Sequence, residues 1–364
     1  MTEPDPDRLK RYSFLVFSKL EGAITSGMIH LGDRLGLYRV VADADAPLTS
    51  AELADRAGLD ERWVREWTYN QAAAHILDVD TGATGDGGGE RFSLSAEGVA
   101  VLADPEHPSF GLGMFHKLPQ TMETLRVLPE SFRTGVGFDY DAQGAEGAAG
   151  LERSFEPWNR VHLVPDVLPL LDGVEERLHA GGAVADIGCG PGGAVLMFAA
   201  AFPHSRVTGY DISHFALDRA RERLAAAGLT NARFVDPREE PLPDDHSVDL
   251  VTTLDCIHDM TDPQGMMHVI RAAVADDGTW LLVDIKGRNS FAENVEKNPM
   301  ASMMYGISIM SCMSSALSEP GGAGLGTLGL PAAKAQAMAA EAGFTRFRKL
   351  DVDHPVNAFY EIRP

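Results

Sequence analysis

Positive charge is scarce in this chain. Lys and Arg number 31 against 53 Asp and Glu, giving a formal net charge of −22. A polyanion binder needs clustered cations to neutralise phosphates, so nucleic acid is disfavoured as a partner, and an anionic membrane surface equally so. Cysteine is rarer still. Cys189, Cys256 and Cys312 are far apart and form no C-x-x-C. That spacing indicates neither a disulfide framework nor a structural zinc site and suits a reducing, cytoplasmic compartment. His116, His258 and His268 make no recognisable ligand set, so no metal is expected. The start, Met1-Thr2-Glu3-Pro4-Asp5, lacks both the basic stretch and the apolar core of an export signal. Charge is missing altogether from residues 299–318. Serines and a glycine dilute that run, which is expected to be a buried helix and not a membrane span.

What is present suffices for a large core: 364 residues, 45 % of them hydrophobic, suit two domains. Residues 8–35 are expected to be helical, because Phe17, Leu20, Ile24, Met28, Leu31 and Leu35 recur at steps of three and four. Residues 48–103 have the pattern of a winged helix. Thr49 and Glu52 make a capping box, Asp60 can cap a longer helix, and a hairpin follows with a Gly-rich tip at 81–90. Residues 141–150, rich in Ala and Gly, read as a linker or exposed loop, and a first domain is placed at 1–150. From 151 to 364 strands and helices alternate, which implies a parallel sheet with helices on both faces. Strands are expected near 183–187, 206–211, 232–236, 248–254, 279–285, 344–352 and 356–362.

The most informative stretch is Val184-Ala185-Asp186-Ile187-Gly188-Cys189-Gly190-Pro191-Gly192-Gly193. An apolar strand ending in glycines before a helix lets the backbone come close to a ligand. Gly188, Gly190 and Gly193 also fit the G-x-G-x-x-G of dinucleotide binders, and an incidental Gly-rich turn is the third reading. The acid discriminates among them. A dinucleotide-binding strand is buried on both faces and should be apolar two residues before the first glycine, where this chain has Asp186. The stretch resembles motif I of the class I S-adenosylmethionine (SAM)-dependent methyltransferases. The resemblance spans nearly the whole chain and is greatest to bacterial winged-helix small-molecule methyltransferases. It implies an α/β, Rossmann-like domain, a seven-stranded sheet with its last strand antiparallel, preceded by a mainly α winged-helix domain that builds a homodimer.

The resemblance also assigns roles. Asp186, Gly188, Gly190 and Gly192 would form the SAM loop. Asp211, closing the second strand of the domain, would take the ribose hydroxyls, with Ile212 beside it. An acid there serves NAD as well, and a helix-capping Asp is the plainer alternative. Asp236 would receive the adenine amine, although an Asp before Pro237 also suits a turn. Leu254-Asp255-Cys256-Ile257-His258-Asp259-Met260 resembles motif IV of small-molecule O-methyltransferases. It makes Asp255 a cofactor residue and His258 a general base with Asp259 beside it. The aromatic residue usual after that pair is Met260 here, and for the second acid of the plant-type enzymes Asp284 and Glu293 are loose candidates. Trp158 and His162, in the segment before the first strand, and Met303 and Ile307, on a Met-rich helix, are candidate substrate contacts; packing and a dimer interface are their rival roles. The expected activity is methyl transfer from SAM to a small molecule, leaving S-adenosylhomocysteine, with O-methylation favoured. The alternative is a SAM-sensing winged-helix regulator of transcription. Its recognition helix would read Asp60, Glu61, Arg62, Arg65, Glu66, without the basic excess that DNA demands.

Overall fold

A computed structural model describes residues 3–82 and 89–364; most of the Gly-rich tip expected at 81–90 lies outside the described residues. The chain divides into two compact units, one of Met1–Pro119 with Arg153–Trp158 and one of Gln120–Glu152 with Asn159–Pro364.

The first unit is mainly helical. Pro6 opens the helix Pro6–Arg34, where its missing N–H costs nothing. Asp5 caps that helix by accepting from the Arg8 amide, satisfying one of the free donors of the first turn. The capping box at Thr49 and Glu52 forms at the helix Ser50–Ala57, and the Asp60 carboxylate caps Glu61–Ala73. Two short antiparallel strands, β1 (Asp78–Asp80) and β2 (Arg91–Ser93), complete the wing. Leu37, Tyr38, Leu53, Trp67 and Phe92 make the core. Tyr38 and Trp67 meet edge to face with ring centroids 5.3 Å apart, a favoured aromatic geometry. Of the apolar stripe expected on the first helix, only Met28 packs on this core; Phe17, Leu20, Ile24, Leu31 and Leu35 face outward.

The second unit holds a seven-stranded sheet: β3 (Ala183–Ile187), β4 (Arg206–Tyr210), β5 (Ala232–Val235), β6 (Val248–Leu254), β7 (Val274–Ile285), β8 (Arg346–Lys349) and β9 (Asn357–Arg363). The order across it is β5-β4-β3-β6-β7-β9-β8. β3 to β7 run parallel, and β9 is antiparallel to both its neighbours, as the resemblance implied. The chain reverses its direction of winding at β3, so a crevice opens outside the carboxyl ends of β3 and β6, where open α/β sheets bind ligands.

Three expectations need correction. Residues 141–150 are no linker: a short turn of 3₁₀ helix, Tyr140–Gln143, leads into the helix Gly144–His162. Gly144, Gly147 and Ala148 line a small cavity with Gly190, Ser213 and Ala216, and Gly144 takes the left-handed φ of +62° at the start of the helix. Residues 299–318 are not one buried helix. They form two, Ala301–Met310 and Cys312–Ala316, broken at Ser311, and Met303 is 48 % exposed. β7 begins earlier than expected, at Val274. Asp276-Asp277-Gly278, which reads as a turn, continues the strand past a register shift between Val248 and Leu250, the kind of irregularity that lets a strand absorb turn-forming residues. No helix among the described residues is long and apolar enough to cross a membrane.

Candidate active site

The site is built on four turns at the carboxyl edge of the sheet, after β3, β4, β5 and β6. The turn after β3 carries the glycines. Gly188 has φ +66°, and a Cβ on it would lie 2.7 Å from that of Cys256; Gly192 has φ +81°, and its Cβ would lie 2.4 Å from the Phe234 ring. Neither position accepts a side chain, on conformation or on space. Asp186, only 1 % exposed, points from β3 towards β6 and accepts from the Thr252 hydroxyl at 2.5 Å. Burial pushes its carboxyl up to about 7, with the Thr252 hydroxyl pulling the other way, as desolvation and hydrogen bonding oppose each other at a buried acid. The Cys256 thiol donates to the Ile187 carbonyl at 3.1 Å, tying the turn after β6 to β3.

After β4, Asp211 accepts from the Gly190 amide at 2.7 Å through Oδ2 and from the Ser213 amide at 2.8 Å through Oδ1. Burial raises its pKa and those amides lower it. Each carboxylate oxygen keeps a second lone pair, so the group is aimed without being used up. Ile212 follows, exposed. Asp236, after β5, is gripped by Arg238, whose Nη2 lies 2.6 Å from Oδ2 and also donates to the Ile212 carbonyl at 2.7 Å. That hydrogen bonding holds the Asp236 carboxyl below its usual range.

The turn after β6 begins with Asp255 at φ +64°, a left-handed conformation uncommon outside glycine. Its Oδ1 accepts from Asn357 Nδ2 at 2.8 Å. Burial pushes the Asp255 carboxyl up to about 7, with His258 drawing it down and Asp284 pushing further. His258, 2 % exposed, places Nδ1 2.7 Å from Asp284 Oδ1. The Asp284 oxygen also accepts from the Ile285 amide at 2.8 Å, which fixes the carboxylate at the end of β7. Burial works against a charge on the His258 ring, but Asp284 and then the Cys312 thiol carry its pKa well above the ordinary value. A His258 nitrogen, an Asp259 carboxylate oxygen and Cys312 Sγ lie within 4.8 Å of one another.

The remaining candidates are scattered. His162 closes the helix Gly144–His162 and pairs with Asp166 at 2.6 Å; Trp158 falls in the stretch grouped with the first unit. Ile307 is half-buried, and it is the neighbouring Met304 that packs with Ile285 and Leu328. Glu293 pairs with Lys297 at 3.6 Å, which leaves Asp284 as the acid on His258. Sequence reasoning missed Tyr140, Cys312 and Asn357. Tyr140 lies near enough to Asp259 and Asp211 for both to add to the burial that raises its phenol. The small residues 144, 147 and 148 recur at helical spacing and are the one local signal that could have drawn attention to that segment.

An acid-backed glycine turn, an acid after each of the next three strands and a buried imidazole–carboxylate pair, all on the carboxyl edge of a sheet ordered β5-β4-β3-β6-β7-β9-β8, define a class I methyltransferase fold. Comparison with known proteins agrees. Residues 185–280 match the family described as a methyltransferase domain, and residues 23–103 match the Rv2258c-like winged HTH domain. Residues 185–280 are thus a methyltransferase domain and residues 23–103 a winged-helix domain, in a chain whose sheet has the class I methyltransferase fold. A 55-residue stretch is 49 % identical to trans-aconitate 2-methyltransferase of Paracidovorax citrulli, covering 15 % of this chain and 21 % of that protein. Human N-acetylserotonin methyltransferase, solved with SAM, superposes with a TM-score of 0.67 at 15 % identity, over 100 % of this chain and 99 % of that one. An O-methyltransferase from neocarzinostatin biosynthesis, solved with SAM and 2-hydroxy-5-methyl naphthoic acid, gives 0.62 at 17 %, over 93 % and 95 %. Across the curated relatives it matches, the chain spans between 6 % and 26 % of their length.

Proposed function

We propose that this protein is a SAM-dependent methyltransferase that methylates a hydroxyl group of a small molecule, with His258 as general base. The observation that carries the reading is the buried His258–Asp284 pair, on the turn that Cys256 ties to the glycine strand. The residues fit the cofactor. Cys256 and Phe234 leave no room for a Cβ at Gly188 and Gly192, which fixes the turn, and Gly190, with open space where its Cβ would stand, lets the backbone come close to a ligand. Asp211 is aimed to take ribose hydroxyls, the usual task of an acid at that strand end. Exposed Ile212 and Arg238-held Asp236 suit an adenine face and edge. Asp186 and Asp255, both raised to about 7 by burial, would be drawn to their charged forms by the cationic end. Bound SAM supplies a sulfonium-activated methyl with a good leaving group. The protein therefore contributes alignment, exclusion of water and removal of one proton.

That proton goes to His258. Asp284 holds Nδ1–H, which fixes the tautomer and leaves Nε2 to face the acceptor oxygen. Asp259 stands beside it and stabilises the imidazolium that forms. His162, Met303 and Ile307 are assigned to the acceptor side. The pH dependence follows from the raised His258 pKa. The base works only when neutral, so the rate should climb with pH through an ionisation above the usual ~6.5. Asp284→Asn removes the charge that raises it. The limb should then move to lower pH while the plateau falls by about 10²-fold or more, because the tautomer is no longer held. Initial rates from pH 5 to 10 on a hydroxyl acceptor test this; a limb that stays in place in the variant removes Asp284 from the account.

The outward stripe on the helix Pro6–Arg34 supports a homodimer. Phe14 is 77 % exposed and Phe17 is 67 % exposed. With Leu20 and Ile24 alongside, that is more contiguous apolar surface than a monomer usually keeps bare. Core contacts begin only at Thr25, so deleting residues 1–24 should convert a dimer to a monomer without unfolding the rest. Sedimentation of both proteins decides it, and a monomeric full-length chain would end the proposal. The regulator reading gains no support: Arg62 and Arg65 are paired with Glu66 and Glu61 on their own helix, at 2.5 and 2.6 Å.

A further inference from the structure

We propose that His258, Asp259 and Cys312 form a binding site for a divalent metal of the zinc type, and that the bound metal shuts down His258 as a base. Among the described residues, a His258 ring nitrogen, an Asp259 carboxylate oxygen and Cys312 Sγ all lie within 4.8 Å of one another. A tetrahedral zinc ion spaces its ligand atoms roughly 3.5 Å apart, so these three close on an ion by side-chain movements of about an ångström. Imidazole, carboxylate and thiolate are the ligand types that zinc takes. The sulfur selects against magnesium and calcium, which bind through oxygen.

A second observation supplies the outer support that such sites need. A metal-bound imidazole gives its other N–H to a carboxylate, which fixes the tautomer and the ring orientation. Nδ1 of His258 lies 2.7 Å from Asp284 Oδ1, and the Ile285 amide holds that oxygen at 2.8 Å. Nε2 is therefore the nitrogen for the metal. His258 is buried and the other two ligands are half-buried, so the site is partly dry and an ion still has a way in. Asp255, His258 and Asp284 make another compact group, but it offers no sulfur, and its imidazole is already joined to Asp284. Binding forms one bond to each ligand and releases the Cys312 proton to solvent, with no change of oxidation state. A metal on Nε2 holds the lone pair that would take the acceptor proton. Metal binding stands apart from methyl transfer; only the inhibition rests on the base reading.

The full-length protein, first cleared of metal with a chelator, is titrated with Co²⁺, which occupies zinc sites and reports its ligands by absorption. A thiolate-to-cobalt charge-transfer band is expected, saturating at one ion per chain and displaced by Zn²⁺. Cys312→Ser should abolish the band. Asp284→Asn should weaken Zn²⁺, measured by competition with a chromophoric chelator, by about 10–100-fold, the scale for losing such an outer partner. Zn²⁺ should inhibit methyl transfer to a hydroxyl acceptor in the parent and about tenfold or more weakly in Cys312→Ser, whose rate without metal stays near the parent's. If the serine variant does not fold, the native chain decides. Zn²⁺ should then slow alkylation of Cys312 by iodoacetamide about tenfold or more, located by peptide mapping, because a coordinated thiolate is shielded. No thiolate band, a band that survives in folded Cys312→Ser, or alkylation of Cys312 indifferent to Zn²⁺ overturns the site. Zinc bound through Cys312 beside undiminished methyl transfer supports the site and refutes the inhibition.

Discussion

His258→Ala is expected to lower turnover on a hydroxyl acceptor by about 10²–10⁴-fold, the usual contribution of a positioned base, while SAM affinity stays within about twofold of the parent. The asymmetry follows from the geometry. His258 sits on the turn after β6 and is bound to Asp284 on β7, whereas all the proposed cofactor residues but Asp255 lie in β3 or on the turns after β3, β4 and β5. Removing the imidazole leaves the glycine turn untouched but takes away the proton acceptor. It also leaves a buried carboxylate without its main partner, since Asp284 Oδ2 has no hydrogen bond of its own. A loss of stability of about 1–3 kcal/mol is therefore expected as well, and turnover should be compared at a temperature where both proteins are folded. Single-turnover methylation with radiolabelled SAM separates binding from chemistry. A variant with near-parental rates on a hydroxyl acceptor would remove His258 from the mechanism and leave proximity as the catalytic contribution.

Asp211→Ala is expected to have the largest effect on binding. Hydrogen bonds to a charged group contribute about 1.5–3 kcal/mol, so affinity for SAM and S-adenosylhomocysteine should fall by roughly ten- to 150-fold. Part of the loss is indirect. The carboxylate holds the Gly190 and Ser213 amides, so its removal also frees the glycine turn. Asp211→Asn separates the two effects. It keeps one amide interaction and the shape of the turn, and should lie between the parent and the alanine variant. Calorimetric titration of all three proteins is the measurement; equal affinities would show that the ribose is held elsewhere.

The central strands β3, β4 and β6 were legible in the sequence because they are short, mainly apolar runs closed by a glycine or an acid, a pattern set by burial on both faces. β3 is the clearest case. Asp186 in an otherwise apolar strand had to be either an uncompensated buried charge or an acid with a partner, and it lies paired with Thr252. The helix caps at Thr49 and Asp60 were legible because they depend on residues two or three apart. What escaped depends on distance in the chain. Asp284, one of two loose candidates for the second acid, meets His258 across 26 positions, and Asn357, which was not a candidate, meets Asp255 across 102; no local pattern encodes either encounter. Cys312 lies in a run whose serines and methionines give no strong period, and the helix break beside it at Ser311 has no proline or glycine at that position to mark it. Residues 141–150 were misread for a different reason. Gly and Ala mark flexible linkers and close helix approach alike, and only the surroundings tell them apart.

SAM is expected to bind in the crevice beside β3 and β6, and calorimetry separates it from a dinucleotide. The full-length protein is titrated calorimetrically with SAM, with S-adenosylhomocysteine and with NAD under identical conditions. The arrangement of Asp186, the glycine turn and Asp211 predicts binding of both sulfur nucleosides and no comparable heat from NAD. Tight binding of NAD, with no response to either SAM or S-adenosylhomocysteine, would contradict it.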